Sequence, residues 1–183
     1  MKIKICGIKD PEMALFAAKA GADLIGIMQH PQSSRYISPK RAIEIAEAAR
    51  VGGAEPILVF VDTTQEEVIA LCEEIGVFFV QSYAQTLELP PYYRRMYVNQ
   101  VAPNKLDYQL IDFSHGKGKL FDATLIPQRE SRCFLAGGLT PENVSTMINS
   151  YHPYGVDVSS GVEKEQKKDK GLIRKFIENA RSI

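Results

Sequence analysis

Short apolar runs alternate along the chain with longer stretches in which apolar residues recur every three or four positions. The short runs are rich in Ile, Val, Leu and Phe and end at glycine or polar residues, which is typical of buried β-strands. The longer stretches have the periodicity of helices with one buried face. Strands are predicted at residues 3–6, 24–28, 56–61, 77–81, 96–99, 108–113, 133–136 and 155–158. The alternation favours parallel strands joined by helices.

Helix boundaries are marked by capping residues and glycines. Asp10 and Ser38 each precede a proline, and Asp62-Thr63-Thr64 opens the third helical stretch, so each start has N-cap candidates. Glycines follow each of these helices. Further helical segments are predicted from Pro141 and over residues 170–180, and a turn of helix at Asp122. The charged stretch between the last strand and the last helix, residues 163–170, is predicted to be a solvated loop.

The middle of the chain is less regular. Pro90-Pro91 and the Tyr92-Tyr93-Arg94-Arg95 cluster leave room for only a short or distorted fourth helix. The cluster is too short to be a nucleic-acid platform, and its aromatic rings are expected to pack over the barrel edge. We therefore expect an abbreviated or irregular structure around the fourth and fifth units.

Eight β/α units in 183 residues leave about 23 residues per unit, which favours a compact (β/α)8 barrel over an open doubly wound sheet. The length fits a single domain covering residues 1–183. In such barrels the active site lies at the C-terminal ends of the strands. Six candidate residues lie at or just after predicted strand ends: Cys6, Arg35, Gln81, Asp122, Gly137 and Ser159.

Composition removes several classes of function. Lys plus Arg and Asp plus Glu both number 22, so no overall field recruits nucleic acid or an anionic membrane. No apolar run approaches the roughly 20 residues that span a bilayer. The three cysteines show no CxxC spacing and no leader segment is apparent, so a reducing cytoplasm is the expected setting. The histidines lack metal-ligand spacing, and no metal is predicted.

Cys6 and Asp122 are the candidate base and acid. A cysteine near a strand end is most often a small buried apolar residue, and Cys72 and Cys133 fit that description. Cys6 is followed by Gly7, which allows a sharp turn that presents the thiol to a cavity, with Lys4 and Arg35 as cations able to lower its pKa. Asp122 either caps a helix or serves as a general acid, or does both.

Three loops are candidate binding sites. Gly137-Gly138 precedes a predicted helix start, where free backbone amides favour phosphate, although a plain turn gives the same sequence. Ser159-Ser160-Gly161 repeats this logic one unit later, and phosphate sites formed by the loops after strands seven and eight recur in barrels. Arg35, in a polar loop, is either a surface arginine or a fork for a carboxylate.

Several runs together resemble the phosphoribosylanthranilate isomerase family. They cover almost the whole chain in the family's order, and the first and last of them are the most specific. The runs are Lys4-Ile5-Cys6-Gly7-Ile8, Ala20-Gly21-Ala22-Asp23-Leu24-Ile25-Gly26, Ser34-Arg35-Tyr36-Ile37-Ser38-Pro39, Val59-Phe60-Val61, Phe121-Asp122, Leu135-Ala136-Gly137-Gly138-Leu139-Thr140-Pro141-Glu142-Asn143-Val144 and Gly155-Val156-Asp157-Val158-Ser159-Ser160-Gly161-Val162-Glu163.

The resemblance implies a cofactor-free Amadori rearrangement of phosphoribosylanthranilate in tryptophan biosynthesis. Asp122 would protonate the ribose ring oxygen, and Cys6 would take the proton from C2. Arg35 would hold the anthranilate carboxylate, and the amides around Gly138, Ser160 and Gly161 would hold the phosphate. The expected partner is this small molecule alone, with a monomer as the default state.

The chain departs from the family pattern at two places. Ser82-Tyr83-Ala84 follows Gln81 where the family usually has Leu-His-Gly, which changes a side chain on the anthranilate side. The stretch before Phe121 also differs from the family's glycine-rich loop. A different sugar-phosphate barrel, such as a ribulose-phosphate epimerase or a histidine-pathway aminoaldose isomerase, and a non-catalytic phosphometabolite-binding barrel remain as alternatives.

Overall fold

A computed structural model describes residues 1–84, 87–103, 107–113 and 132–182. Eight parallel strands form a closed barrel in chain order, and the eighth pairs with the first. The strands are β1 (Lys2–Cys6), β2 (Leu24–Met28), β3 (Glu55–Phe60), β4 (Phe79–Ser82), β5 (Arg94–Val98), β6 (Tyr108–Asp112), β7 (Arg132–Ala136) and β8 (Gly155–Val158). The predicted barrel is confirmed.

Five helices surround the described part of the barrel. They are α1 (Pro11–Lys19), α2 (Pro39–Gly52), α3 (Gln65–Ile75), α4 (Val144–Tyr151) and α5 (Lys170–Arg181). The first three begin where capping residues predicted, since the Asp10, Ser38 and Thr64 side chains each accept a hydrogen bond from a backbone N–H of the first turn. None of the described helices is long and apolar enough to cross a membrane.

The abbreviated middle is also confirmed. Among the described residues, no helix lies between β4 and β5 or between β5 and β6. Tyr92 and Tyr93 pack their rings against each other and against Phe78, with centroids 4.9 to 5.7 Å apart. The three rings therefore pack together just before β4 and β5, at the N-terminal end of the barrel.

Two local predictions were wrong. Helix α4 begins at Val144 rather than Pro141, because the Asn143 side chain bonds the backbone of Thr140 and Gly138 and holds the preceding residues in a turn. The segment after β8 is not a solvated loop. A 3-10 turn at Ser160–Val162 leads into a hairpin of β9 (Glu163–Lys164) and β10 (Lys167–Lys168), and the side chain of Lys168 is only 5% exposed.

The barrel interior is apolar at one end and polar at the other. Towards the N-terminal ends of the strands it is filled by aliphatic and aromatic side chains, including Leu24, Ile57, Phe79, Met96, Leu110 and Phe134. At the C-terminal ends, Lys4 and Cys6 of β1 lie on one face of the strand and are buried beside Asp157 of β8. These three buried polar side chains therefore lie together at the mouth where barrel active sites are found.

Candidate active site

A cavity of about 250 Å³ opens at the C-terminal ends of the strands. It contains seven of the nine predicted site residues: Cys6, Arg35, Gln81, Gly137, Gly138, Ser159 and Ser160. Gly161 comes next in the chain after Ser160 but does not itself line the cavity. Asp122 lies outside the described residues. A larger cavity of about 460 Å³ lies at the opposite end, where Arg94 is paired with Glu55 and covers the ring of Phe79.

Cys6 is the last residue of β1, and the residue is buried at the cavity floor with 7% of its surface exposed. Gly26 on the neighbouring strand provides the space, because a Cβ there would lie 2.7 Å from the Cys6 Sγ. Burial raises the pKa of the Cys6 thiol, while the Lys4 ammonium acts against that rise. Burial raises the pKa values of Cys72 and Cys133 to about 12, with no cation among the described residues shown to act against it, as expected for packing residues.

Lys4 is fully buried, and its Nζ lies 3.0 Å from Asp157 Oδ2. Burial disfavours the ammonium, but the charges of Asp157 and Cys6 outweigh it and raise the pKa of Lys4. A buried cation therefore lies beneath the thiol and favours its thiolate. Burial also raises the pKa of Asp157, whose Oδ1 has no hydrogen-bond partner among the described residues.

Arg35 lies over Gly7, so closely that a Cβ at Gly7 would come within 2.4 Å of the arginine Cδ. Its Nε and Nη2 donate to the two carboxylate oxygens of Glu163, each at 2.8 Å. Lys168 Nζ donates to the same carboxylate at 2.6 Å. Despite partial burial, these two cations lower the pKa of Glu163 to about 2, so the carboxylate is ionised at neutral pH.

Ser159 joins this ion-pair cluster to the strand that carries the thiol. Lys168 Nζ donates to the Ser159 carbonyl at 2.9 Å and lies 3.3 Å from its hydroxyl. The Ser159 hydroxyl in turn donates to the Cys6 carbonyl at 3.1 Å. The ends of β1 and β8 are thus tied together at the cavity.

The two glycine-containing loops have the backbone geometry of anion sites. Gly137 and Gly138 have φ values of 87° and 69°, in the left-handed region that favours glycine. Gly161 packs against the other loop, since a Cβ there would lie 1.8 Å from the Leu139 carbonyl oxygen. No turn or loop hydrogen bond joins the N–H groups of Gly138, Ser160 or Gly161 to another described residue. They form a group of donors at one side of the cavity.

The opposite side of the cavity is formed by Gln81, Tyr83, Met28 and Val59. The Tyr83 hydroxyl donates to Asp112 Oδ2 at 3.2 Å, and burial together with Asp112 raises the pKa of Tyr83. Gln81 is buried, and its Oε1 has no partner among the described residues. This side offers an apolar wall with a few polar atoms, which suits a planar aromatic group.

The sequence model of the N-(5'phosphoribosyl)anthranilate (PRA) isomerase family matches residues 3–179 of this chain. The chain belongs to the phosphoribosylanthranilate isomerase family. Relatives named N-(5'-phosphoribosyl)anthranilate isomerase include those of Chlamydia felis and Aquifex aeolicus, each 36% identical, with 100% of this chain and 98% and 99% of the relatives covered. The family resemblance predicted from the motifs is confirmed.

Solved structures of phosphoribosylanthranilate isomerases are similar over the full chain. The Thermotoga maritima enzyme matches with a TM-score of 0.84 at 32% identity, covering 100% of both chains. An isomerase structure described as a complex with reduced 1-(o-carboxyphenylamino)-1-deoxyribulose 5-phosphate matches with a TM-score of 0.82 and the same coverage. The Chlamydia felis alignment extends over 202 positions against 183 residues here, so this isomerase-family chain is the shorter one, consistent with its abbreviated middle.

Sequence reasoning did not assign a role to Glu163, Lys168, Asp112 or Asp157. Glu163 and Asp157 were visible within the family motif around Ser159-Ser160-Gly161, but nothing in the sequence showed which of their neighbours they bond. Lys168 lies in the charged stretch 163–170, which was predicted to be a solvated loop. In the structure Glu163 and Lys168 are paired opposite each other across the hairpin of β9 and β10, whose two turn residues are Glu165 and Gln166.

Proposed function

We propose that this chain catalyses the rearrangement of N-(5-phosphoribosyl)anthranilate to 1-(2-carboxyphenylamino)-1-deoxyribulose 5-phosphate, a step of tryptophan biosynthesis. One observation carries the proposal: a buried thiol with a cation beneath it shares one cavity with an arginine and with the two glycine-containing loops after β7 and β8. These groups match three features of the substrate: a carboxylate, a phosphate, and a C2–H bond that becomes acidic once the sugar ring has opened to the C=N form. Family membership supports the same reaction.

Binding is assigned as follows. The phosphate accepts hydrogen bonds from the amides of Gly138, Ser160 and Gly161, with Gly137 and Ser159 shaping the two loops. Arg35 holds the anthranilate carboxylate at the other end. Gln81 contacts the substrate between these ends. The apolar wall with Tyr83 accepts the aromatic ring.

The chemistry then needs one acid and one base. Asp122 protonates the ribose ring oxygen, the bond from C1 to that oxygen breaks, and the nitrogen lone pair forms a C=N bond at C1. The Cys6 thiolate takes the proton from C2, and the electron pair of that bond forms a C1=C2 double bond as the nitrogen regains its lone pair. The enolamine then loses its hydroxyl proton and gains one at C1, which gives the ketone.

Lys4 has a defined part in this scheme. A thiolate in an apolar pocket is unfavourable, and the buried ammonium offsets that cost without touching the substrate. Because Asp157 keeps Lys4 paired, the cation stays at the cavity floor when the thiol is neutral. Cys6 is therefore the base and Lys4 the residue that sets how readily it ionises.

The cellular compartment and the oligomeric state are also proposals. All three cysteines are buried and unpaired, which supports the expected reducing cytoplasm. A monomer is still the expectation for this chain, and light scattering on the purified protein tests it. One matched structure describes the Thermotoga maritima enzyme as dimeric, and that statement concerns the relative.

The direct test uses the fluorescence of the anthranilate group. Purified protein is mixed with freshly generated phosphoribosylanthranilate, and the loss of fluorescence is followed while the product is identified by mass spectrometry. The proposal expects rapid loss with a product of unchanged mass. No acceleration over the protein-free control would contradict the assignment and favour a binding role.

A further inference from the structure

Glu163 holds one edge of the Arg35 guanidinium, and no side chain among the described residues bonds the other edge. The bonds from Nε and Nη2 to the two Glu163 oxygens use two of the five N–H groups of the guanidinium. The three that remain, two on Nη1 and one on Nη2, include a second pair with the fork geometry that suits a planar carboxylate. Arg35 lines the cavity, so this second fork is the one that a ligand there can reach.

The cluster keeps a positive charge even with Glu163 in place. Two cations, Arg35 and Lys168, surround one carboxylate, so the sum of charges is one positive unit. The Glu163 side chain is only 9% exposed, and both of its oxygens accept hydrogen bonds. An anion that enters the cavity is therefore attracted by the net positive charge of the cluster and can bind without displacing Glu163.

The same cluster connects the two ends of the cavity. Lys168 bonds Glu163 and the Ser159 carbonyl, and Ser159 bonds the Cys6 carbonyl. A shift of Glu163 would therefore act on Arg35 directly. It would also reach the end of β1 through the hydrogen bonds that Lys168 and Ser159 make. Without this support, an arginine side chain would have to lose rotamer freedom each time it bound a ligand.

We propose that Glu163 is a positioning residue that aims the free edge of Arg35 at the carboxylate of an aryl-amine substrate, and so sets the preference for a carboxyl-substituted ring. The inference rests on the proposed function and deepens it. Glu163 itself does not contact the substrate. Selectivity for the carboxylate is then a property of the Arg35–Glu163–Lys168 cluster rather than of Arg35 alone.

The test compares two ligands in two proteins. One ligand is the reduced product, 1-(2-carboxyphenylamino)-1-deoxyribitol 5-phosphate, and the other is the same compound without the ring carboxyl group. Glu163→Gln keeps the size of the side chain but places an NH₂ group against the donors of Arg35, which breaks the fork. We expect the variant to lose roughly tenfold or more of its preference for the carboxyl compound in calorimetric titrations. Affinity for the carboxyl-free compound should stay near the wild-type value.

Glu12→Gln is the matched control, because Glu12 pairs with Lys170 in an exposed ion pair between α1 and α5. It should leave both affinities unchanged. Equal weakening of both ligands by Glu163→Gln would reduce Glu163 to a structural role and overturn the inference. Tighter binding of the carboxyl compound would also overturn it, since Glu163 would then compete with the substrate for Arg35.

A second variant and the wild-type protein itself complete the test. If circular dichroism shows that Glu163→Gln does not fold, Glu163→Asp replaces it, because the charge is retained but the side chain is one methylene too short to hold the fork. The same loss of preference is expected, and a retained preference would count against the inference. A wild-type protein that turns over phosphoribosylanthranilate but shows no preference for the carboxyl compound would refute the inference alone. A wild-type protein without turnover would refute the proposed function.

Discussion

Replacing Gly161 by Ala should weaken binding of the substrate's phosphate. A Cβ at this position would lie 1.8 Å from the Leu139 carbonyl oxygen and 2.9 Å from the carbonyl carbon. Both atoms are backbone, so no side-chain rotation relieves the contact. The distance to the oxygen must grow from 1.8 Å to at least 3.0 Å, which separates the loop after β7 from the turn after β8 by more than an ångström.

A displacement of that size removes hydrogen bonds from a phosphate held between the two loops, because a bond near 2.9 Å stretched by an ångström no longer counts as one. Hydrogen bonds to charged groups contribute about 1.5–3 kcal/mol each. Losing one such bond would cost about 1.5–3 kcal/mol, or roughly tenfold to 150-fold in kcat/KM. The loss should appear mainly in KM, since the phosphate is held equally in the ground and transition states.

The assay is steady-state fluorescence with phosphoribosylanthranilate, together with inhibition by inorganic phosphate. Gly76→Ala is the control, because Gly76 ends α3 with a φ of 70° and has no neighbour within 4 Å of a Cβ. It should cost about 1 kcal/mol of stability through left-handed strain and leave KM unchanged. A wild-type KM and unchanged phosphate inhibition in Gly161→Ala would refute the assignment of these loops to the phosphate.

Three further variants test the remaining roles. Lys4→Met should raise the pKa of the Cys6 thiol further, so the ascending limb of the pH profile of kcat/KM should move to higher pH. The same variant should lose about 3–5 kcal/mol of stability in urea unfolding, because Asp157 is left buried without its cation. An unchanged pH profile would show that Lys4 does not affect ionisation of the thiol. Arg35→Met should raise KM more than it lowers kcat, and a pure effect on kcat would place Arg35 in the chemistry. Asp122→Asn should abolish ring opening while affinity for the reduced product is kept, and wild-type turnover would exclude Asp122 as the acid.

The barrel was predictable because its signals are local. Capping residues and glycines marked the helix ends, and short apolar runs marked the strands to within two residues. Once eight parallel units were assigned, the position of the site followed from the rule that barrel active sites lie at the C-terminal ends of strands. Cys6, Arg35 and Ser159 were brought together by topology alone.

The hairpin after β8 was missed for a local reason. Its turn residues, Glu165 and Gln166, have φ values of 48° and 61°, a conformation that asparagine and glycine usually mark. A charged and a neutral polar residue in those positions, within a highly charged stretch, suggested a solvated loop instead. The burial of Lys168 depends on Glu163, and the sequence gives no direct sign that the two are bonded.

The Lys4–Asp157 pair was missed for a different reason. Charged residues within a strand ordinarily face solvent, and only the closing of β8 onto β1 places both side chains inside the barrel. That contact joins residues about 150 positions apart, so no local pattern could reveal it. Lys4 was identified as a possible neighbour of the thiol from strand alternation, but its partner was not.

The central claim is that the Cys6 thiol is the base of an isomerase active site, and one paired measurement tests it most directly. Cys6→Ala and the wild-type protein are each titrated with the reduced product and then assayed for loss of phosphoribosylanthranilate fluorescence. The account predicts that the variant binds the reduced product with near wild-type affinity but loses almost all turnover. Turnover at the wild-type rate in a variant that binds normally would show that the proton at C2 is taken by another group.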